Sequence, residues 1–184
     1  MHLYLVRHGQ TDWTIGQQCQ GVADIALNAT GIHQAEALRD QIRRCGLQFD
    51  YIYSSPLRRA RKTAEIITGG QPGIIFDDLL KERSFGKIEG KVVDLGALGV
   101  DLLSLRENTN IYGVEPIRSV LARSKSFLDQ LLRARHAAEP NAHILIASHG
   151  TLLKTLHYNI VGYDDDTDLR GFHFDNAQLA EYEV

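Results

Sequence analysis

Short apolar runs that alternate with helical patterns most constrain the fold of this 184-residue chain. The clearest run is Ile144-Leu145-Ile146, and another, Leu3 to Val6, lies near the start. Both runs are continuous, as in strands that are buried on both faces. Because apolar residues at helical spacing follow such runs, the order predicts a three-layer α/β/α sandwich with a mostly parallel central sheet.

The rest of the pattern predicts four helices and four further strands. Asn28 is a suitable N-cap, and Pro56 suits a first helical turn. Residues 9–27 show no clean period and are predicted to form a functional loop. The further elements are a helix after Asn28 that Cys45-Gly46 closes, a strand at Tyr51–Tyr53, a helix from Pro56 that Gly69-Gly70 ends, a strand at Ile74–Phe76, a helix from Pro116 to about Ala138, a helix after Gly150, and strands at Gly171–Phe174 and Gln178–Val184.

Length and composition predict one domain over residues 1–184, with a short cap or insert at roughly 77–115. Hydrophobic residues make up 43% of the chain and the net charge is −3. This balance excludes a disordered chain and argues against a nucleic-acid-binding protein, which usually carries a basic face.

The two cysteines, Cys19 and Cys45, lack the paired spacing of a zinc site and are too few for a disulfide framework. We expect two reduced thiols. The apolar run at the N-terminus is too short for a signal sequence or a membrane span. These features predict a cytoplasmic protein with no membrane partner.

Two of the predicted strands end in near-identical text, Arg7-His8-Gly9 and Ser148-His149-Gly150. Ligands of open α/β sheets bind beyond the carboxyl ends of the strands. We therefore expect both histidines to face one pocket. A single histidine of this kind is as often structural as functional, but two in the same topological position favour a site.

The neighbours of the histidines indicate phosphate chemistry. Arg7 and Arg59 carry guanidinium groups, which bind phosphate through two parallel hydrogen bonds. The helix start at Gly150 and Thr151 offers backbone N–H groups to an anion. Glu82, in an irregular stretch, is a candidate for the acid that protonates a leaving alkoxide. Taken alone, Arg59 and Glu82 also fit an ordinary solvated surface.

The ordered set of motifs resembles the histidine phosphatase superfamily, which includes cofactor-dependent phosphoglycerate mutases and many small phosphatases. The matching segments span nearly the whole chain. They are Leu5 through Thr11, Gln20-Gly21, Leu27 through Gly31 with Gln34-Ala35, Ser55 through Ala60 with Thr63-Ala64, Glu82-Arg83 with Phe85-Gly86 and Glu89-Gly90, and Ser148-His149-Gly150.

The resemblance implies a role for each catalytic residue. His8 would be the nucleophile that becomes phosphohistidine. The phosphoryl oxygens would be held by Arg7, Arg59 and His149, and Glu82 would protonate the leaving oxygen and then help to activate water. Since His8 must present a neutral nitrogen while His149 is better charged, we expect their pKa values to be pushed apart.

The resemblance also implies a wider phosphate-binding set and one departure from the family pattern. Family members commonly carry asparagine after the tryptophan of the first motif, whereas Thr14 follows Trp13 here. We expect Thr14 to be a weaker phosphate contact. Two arginines and a protonated histidine can stabilise the charge without magnesium, so we expect no metal and no other cofactor. The predicted phosphate-binding residues are Thr14, Gln20, Gly21, Gly150 and Thr151.

Three functions compete: hydrolysis of a small phosphomonoester, the phosphoglycerate mutase reaction, and sensing of a phosphorylated ligand. Mutases that resemble this family carry an Ala-Leu-Gln-Gly-Leu-Asn-Lys stretch where this chain has Lys87 to Lys91. The short segment favours the phosphatase, and the complete catalytic set disfavours the sensor. Sugar phosphates, phosphoserine, nucleotide-related esters and α-ribazole phosphate all stay open as substrates, as does the oligomeric state.

Overall fold

The computed structural model describes residues 1–94, 103, 105, 111–135 and 138–184. Within these ranges the chain forms five strands and five α-helices, with short 3₁₀ turns between them. The elements are β1 (His2–Arg7), α1 (Asp12–Ile15), α2 (Ala29–Arg44), β2 (Tyr51–Ser54), α3 (Arg58–Ile67), β3 (Ile74–Phe76), α4 (Ile117–Arg135), β4 (His143–Ser148), α5 (Gly150–Val161) and β5 (Leu179–Glu183). None of the described helices is long and apolar enough to cross a membrane.

The sheet has the strand order β3-β2-β4-β1-β5. The first four strands are parallel, and β5 lies antiparallel to β1 at the edge. In the central pair β1 and β4, His2 lies opposite His143 and Arg7 lies opposite Ser148. Because these strands end in register, the residues that follow them leave the sheet side by side. The predicted, mostly parallel sheet is confirmed.

Alternate residues of the central strands face opposite layers, as the pleat of a strand requires. Leu3, Leu5, Ile144 and Ile146 belong to a core that includes side chains of α4 and α5. The opposite faces of the same strands pack against α2 and α3. Since both faces are covered, the two apolar runs read as continuous rather than alternating. The three-layer sandwich is confirmed.

Two parts of the predicted pattern differ from the structure. The predicted strand at Gly171–Phe174 is wrong: a 3₁₀ turn at Leu169–Gly171 leads into extended chain. Its aromatic residues pack instead of pairing in a ladder, since Phe172 stacks on His157 at 3.6 Å and Phe174 is 1% exposed. The stretch 9–27 is a loop except for α1, one turn capped by the Thr11 hydroxyl.

The predicted cap at roughly 77–115 stays a prediction. Its described part contains 3₁₀ turns at Asp78–Leu80, Gly86–Ile88 and Ile111–Gly113. Residues 95–102, 104 and 106–110, which belong to the same segment, lie outside the described residues.

A close backbone approach holds the loop after β1 against the start of α2. A Cβ atom on Gly9 would lie 2.4 Å from the Gly31 carbonyl oxygen, and a Cβ on Gly31 would lie 2.1 Å from the Gln10 carbonyl oxygen. The Gln10 N–H also donates to the Gln34 side chain at 2.9 Å. Only glycine at both positions permits this contact, which fixes the loop that carries His8.

We predict that Gly31→Ala lowers the free energy of unfolding by about 1–3 kcal/mol, because the new methyl group must displace backbone. Helix propensity alone would give the opposite sign, a gain of about 0.5–1 kcal/mol. Urea unfolding, read as a shift in midpoint at constant slope, measures the change. Gly171→Ala is the control, because its Cβ would meet only the Tyr158 hydroxyl, at 3.4 Å. A Gly31→Ala variant as stable as wild type would contradict the tight approach.

Candidate active site

The two histidines predicted to face one pocket lie side by side. His8 follows β1 and His149 follows β4, and their ring centroids lie 5.2 Å apart. Both are buried, at 2% and 0% exposure. His8, but not His149, is among the described residues that line the adjacent pocket, which has a volume of about 260 Å³, a size for a small ligand. It is lined by Arg7, His8, Gln18, Gln20, Gly21, Arg59, Glu82, Phe85, Leu103, Gly150, Thr151, Lys154 and His173.

The tautomer of His8 is set by its own backbone. Nδ1 lies 2.7 Å from the carbonyl oxygen of Gly9, which can only accept, so Nδ1 carries the hydrogen and Nε2 keeps its lone pair. The Nε–H of Arg59 donates to that Nε2 at 3.2 Å. Burial first, and then Arg59, hold the pKa of His8 well below 6.5. His8 is therefore neutral near pH 7, and Nε2 can act as a nucleophile once it gives up the hydrogen bond from Arg59.

Arg59, in the first turn of α3, is fully buried and anchors the loop opposite the histidines. Its two terminal nitrogens donate to the carbonyl oxygens of Ala23 and Gly21, each at 2.7 Å. Burial lowers the pKa of Arg59 to about 10, with Glu82 and Asp24 opposing that shift. The guanidinium therefore stays charged at neutral pH.

Gly21 is predicted to bind phosphate, and the structure places it in the pocket wall. Its φ is +52°, and a Cβ atom there would lie 2.2 Å from a carboxylate oxygen of Glu89. Both features favour glycine. Because the Gly21 carbonyl also accepts from Arg59, this residue orients the arginine as well as lining the site.

Arg7 approaches from the end of β1. One of its terminal nitrogens donates to the Phe174 carbonyl at 2.7 Å, and its side chain lies 3.6 Å from where a Cβ of Gly150 would stand. Its buried Nε has no hydrogen-bond partner among the described residues. Burial lowers the pKa of Arg7, with Glu82 and Asp175 opposing. Arg7 thus retains an N–H that a ligand can accept from.

His149 keeps one ring nitrogen unpaired in the same way. Its Nε2 lies 2.8 Å from the Ser55 hydroxyl, while the buried Nδ1 has no partner among the described residues. Burial first, then Arg59 and His8, hold the pKa of His149 well below 6.5. The expected separation of the two histidine pKa values is therefore not met in the protein alone. Both are lowered, because both rings are buried beside the same arginines.

Glu82 occupies the start of α5. Its carboxylate accepts from the N–H groups of Thr151 and Leu152, both at 3.1 Å, and from that of Arg83 at 2.8 Å. A carboxylate at a helix N-terminus is favoured by the free N–H groups and the helix dipole. The prediction that the Thr151 N–H is free for phosphate is therefore wrong: it is already bonded to Glu82. Gly150 and Thr151 still line the pocket.

Arg123 of α4 holds the Glu82 segment, and the sequence analysis missed it. It donates to the carbonyl oxygens of Leu79, Lys81 and Glu82 at 2.9, 2.6 and 3.0 Å. It also forms an ion pair with Glu115 at 2.8 Å. No local signal distinguishes it from the other basic residues of a long amphipathic helix, because all three carbonyls lie about 40 residues earlier in the chain.

Thr14 and Gln20 act as a pair. The Gln20 amide donates to the Thr14 hydroxyl at 2.9 Å, and its buried carbonyl oxygen has no partner among the described residues. Thr14 also caps α1 reciprocally with Thr11. Gln20 lines the pocket, whereas Thr14 is not among its described lining residues. Thr14 therefore orients Gln20 instead of facing the site itself.

Five further lining residues were not predicted from the sequence: Gln18, Phe85, Leu103, Lys154 and His173. Within the described ranges, no cluster of three or more His, Cys, Asp or Glu side chains is placed to hold a metal ion. The polar side chains of the pocket are the guanidinium groups of two arginines, the amine of one lysine, two imidazoles, one carboxylate and two glutamines. Such a set can bind a phosphoryl group and supply a nucleophile to it.

Comparisons with known proteins agree with this chemistry. The uncharacterized phosphatase PhoE of Bacillus subtilis (strain 168) is 36% identical over 97% of this chain and 86% of its own length. A 2,3-bisphosphoglycerate-dependent phosphoglycerate mutase of Brucella ovis is 31% identical over 84% of this chain and 78% of its own. A mycobacterial glucosyl-3-phosphoglycerate phosphatase, solved with VO3, superposes with a TM-score of 0.82 at 26% identity, covering 98% of this chain and 91% of that one.

The match to the family as a whole is more extensive than any of these pairs. The family model of the histidine phosphatase superfamily (branch 1) matches residues 3–184, so its match includes the ends of β1 and β4, the Arg59 helix and the Glu82 segment. The fold, the paired histidines and this match agree, and the chain belongs to the histidine phosphatase superfamily (branch 1).

Proposed function

We propose that this protein is a phosphatase that hydrolyses a small phosphomonoester through a phosphohistidine on His8. One observation carries the proposal. Nε2 of His8 carries a lone pair, which accepts from Arg59, and the pocket that His8 lines also holds Arg7, whose buried Nε–H has no protein partner among the described residues. A nucleophile next to cationic donors, one of them unpaired, suits a phosphoryl group, whose oxygens accept such hydrogen bonds.

The first step transfers the phosphoryl group to the protein. Nε2 of His8 attacks phosphorus, and the bond to the ester oxygen breaks. Arg7, Arg59 and His149 stabilise the charge on the three equatorial oxygens. The proton for the leaving oxygen comes from Glu82. The alcohol then departs.

The second step regenerates the nucleophile. Water attacks the phosphorus of phosphohistidine, and the P–N bond breaks. Glu82, now a carboxylate, accepts the proton of the attacking water. Gln20, Gly21, Gly150 and Thr151 complete the wall around the phosphate, and Thr14 acts through Gln20. No step in this sequence needs a metal ion.

A single catalytic domain with a short cap and a cytoplasmic location remain part of the proposal. Cys19 and Cys45 are both free thiols, which fits a reducing compartment. The small, partly open pocket admits water, which favours hydrolysis over return of the phosphate to the ligand.

The mutase reaction is the second candidate, because a phosphoglycerate mutase is 31% identical over 84% of the chain. Phosphate release from a panel of phosphomonoesters by EDTA-treated protein, with isomerisation of 3-phosphoglycerate followed in parallel, separates the two. Release without isomerisation supports the phosphatase. Isomerisation without release establishes the mutase, and silence in both assays favours a phosphate-ligand sensor.

We predict that His8→Ala lowers kcat at least about 10³-fold, since it removes the nucleophile. After a brief reaction with a ³²P-labelled ester, wild-type protein should carry acid-labile label and the variant none. His33→Ala, on the exposed side of α2, is the control for general effects of losing a histidine. Near-normal turnover or labelling of His8→Ala would exclude His8 as the nucleophile.

We predict that Glu82→Gln slows alkyl phosphates by about 10²–10⁴-fold, because an alkoxide must be protonated as it leaves. Hydrolysis of p-nitrophenyl phosphate should fall far less, since p-nitrophenolate leaves unprotonated. Glutamine keeps one oxygen to accept from the N-terminus of α5. The comparison is the ratio of kcat/KM for the two esters, and an equal loss on both would remove the acid role.

The lowered histidine pKa values predict how stability depends on pH. Below about pH 6.5 the unfolded chain binds protons that buried, neutral His8 and His149 do not bind in the folded protein. The free energy of unfolding therefore decreases as the pH is lowered. Each such histidine contributes a slope of up to about 1.4 kcal/mol per pH unit. Urea unfolding of His8→Asn should show a shallower slope between pH 5 and 6.5 and the wild-type slope above about pH 7.5. Identical slopes in the acid range would contradict a neutral, buried His8.

A further inference from the structure

Lys154 is a buried cation that the proposed mechanism does not use. It lies in the second turn of α5, is 9% exposed and lines the active pocket. Its ammonium nitrogen has no hydrogen bond or ion pair with a described residue, and it is not one of the fully buried unpaired atoms, so it keeps contact with the open space of the pocket. A charge with little solvent contact and no close partner is unfavourable, so its retention next to the reacting groups needs a reason.

The nearby acidic groups are engaged elsewhere. Asp168 accepts from the backbone N–H and the Nε of Arg170, both at 2.9 Å. Glu82 accepts from the start of α5. Burial lowers the pKa of Lys154, and Arg170 and Arg7 add to that effect while Asp168 and Glu82 oppose it. The surroundings of Lys154 therefore lack a dedicated counter-ion.

Lys154 lies on the side of the pocket where the leaving group departs. It stands three residues after Thr151, on the same face of α5, and the Thr151 N–H holds Glu82. Because Glu82 is the proposed acid for the leaving oxygen and interacts electrostatically with Lys154, the ammonium belongs to the leaving-group side of the pocket. His173, at the rim, is a second basic residue on this side, and Phe85 and Leu103 supply apolar wall.

We propose that Lys154 determines specificity by binding a second anionic group, a carboxylate or a phosphate, on the alcohol part of the substrate. The substrate class is then a phosphomonoester whose leaving group is itself acidic. This inference rests on the proposed function, because that function decides which side of the pocket receives the phosphate and which receives the leaving group. The ion pair it forms is partly buried, where a charge-assisted hydrogen bond is strong.

Two matched ester pairs test the proposal. 3-Phosphoglycerate and glycerol 3-phosphate differ only by a carboxylate in place of a hydroxymethyl group. Propane-1,3-diol bisphosphate and propyl phosphate differ by a second phosphate. The readout is the ratio of kcat/KM within each pair for wild type and for Lys154→Met, which keeps the length of the side chain and removes the charge.

We predict that at least one ratio favours the anionic member in wild type and falls about 10- to 100-fold in Lys154→Met. The pair with the larger fall identifies the anion as carboxylate or phosphate. Lys154→Arg should retain most of the ratio, and Lys125→Met, on the exposed face of α4, should leave both ratios at their wild-type values. Ratios that Lys154→Met leaves unchanged, or rates that fall equally within both pairs, would overturn the proposal.

Comparing the dissociation constants of the esters, instead of their kcat/KM values, separates this inference from the proposed function. In the His8→Ala background turnover is too slow to matter, so calorimetric binding of the four esters of both pairs reports recognition alone. The Kd ratio is the Kd of the neutral ester divided by the Kd of its anionic partner. A fall in this ratio on adding Lys154→Met supports the anion site even if wild-type protein hydrolyses nothing. An unchanged Kd ratio for both pairs overturns it even if the protein is an efficient phosphatase.

Discussion

The hydrogen bond from Arg59 to His8 is the interaction on which the rest of the site depends. It joins α3 to the end of β1 and holds Nε2 of His8, the proposed nucleophile, 3.2 Å from Nε of a charged guanidinium group. The other two bonds of the guanidinium go to backbone carbonyls of the loop at Gly21 and Ala23. Because all three acceptors are uncharged, the fold orients Arg59 without neutralising it. The positive charge stays directed into the pocket, where a phosphoryl group uses it.

The residues that the strand pattern alone predicts to lie together are those whose positions the sheet topology determines. His8 and His149 follow strands that are adjacent, parallel and in register, so two short apolar runs in the sequence suffice to bring them together. Arg7 and Gly150 come with them as chain neighbours. Arg59 and Glu82 required the family resemblance, since each reaches the pocket from an element whose own residues resemble a solvated surface.

The rest depends on contacts between distant segments, which no local pattern encodes. Arg123 holds Glu82 across 41 residues, and Lys154 enters the pocket from a helix face that the sequence shows only as part of an apolar stripe. The predicted strand at Gly171–Phe174 failed for a similar reason. Its alternating aromatic side chains do pack on one side of the segment, but Phe172 stacks on His157 of α5 and the segment does not pair in a sheet. Thr14 is predicted to contact the phosphate, but its hydroxyl accepts a hydrogen bond from the Gln20 amide, and Gln20 lines the pocket in its place.

The unmet expectation about the two histidines follows from their shared burial and from the same charge. In the protein alone, burial first and then the arginines lower both pKa values, so neither ring is poised as a cation. A bound phosphate dianion would offset the positive charge and oppose the lowering of both pKa values. In the proposed mechanism, Nε2 of His8 loses its lone pair when it bonds to phosphorus, whereas the His149 ring forms no covalent bond and can still be protonated. The chemical difference between the rings thus arises from binding and bond formation rather than from the fold, which supplies two similar imidazoles and one site of attack.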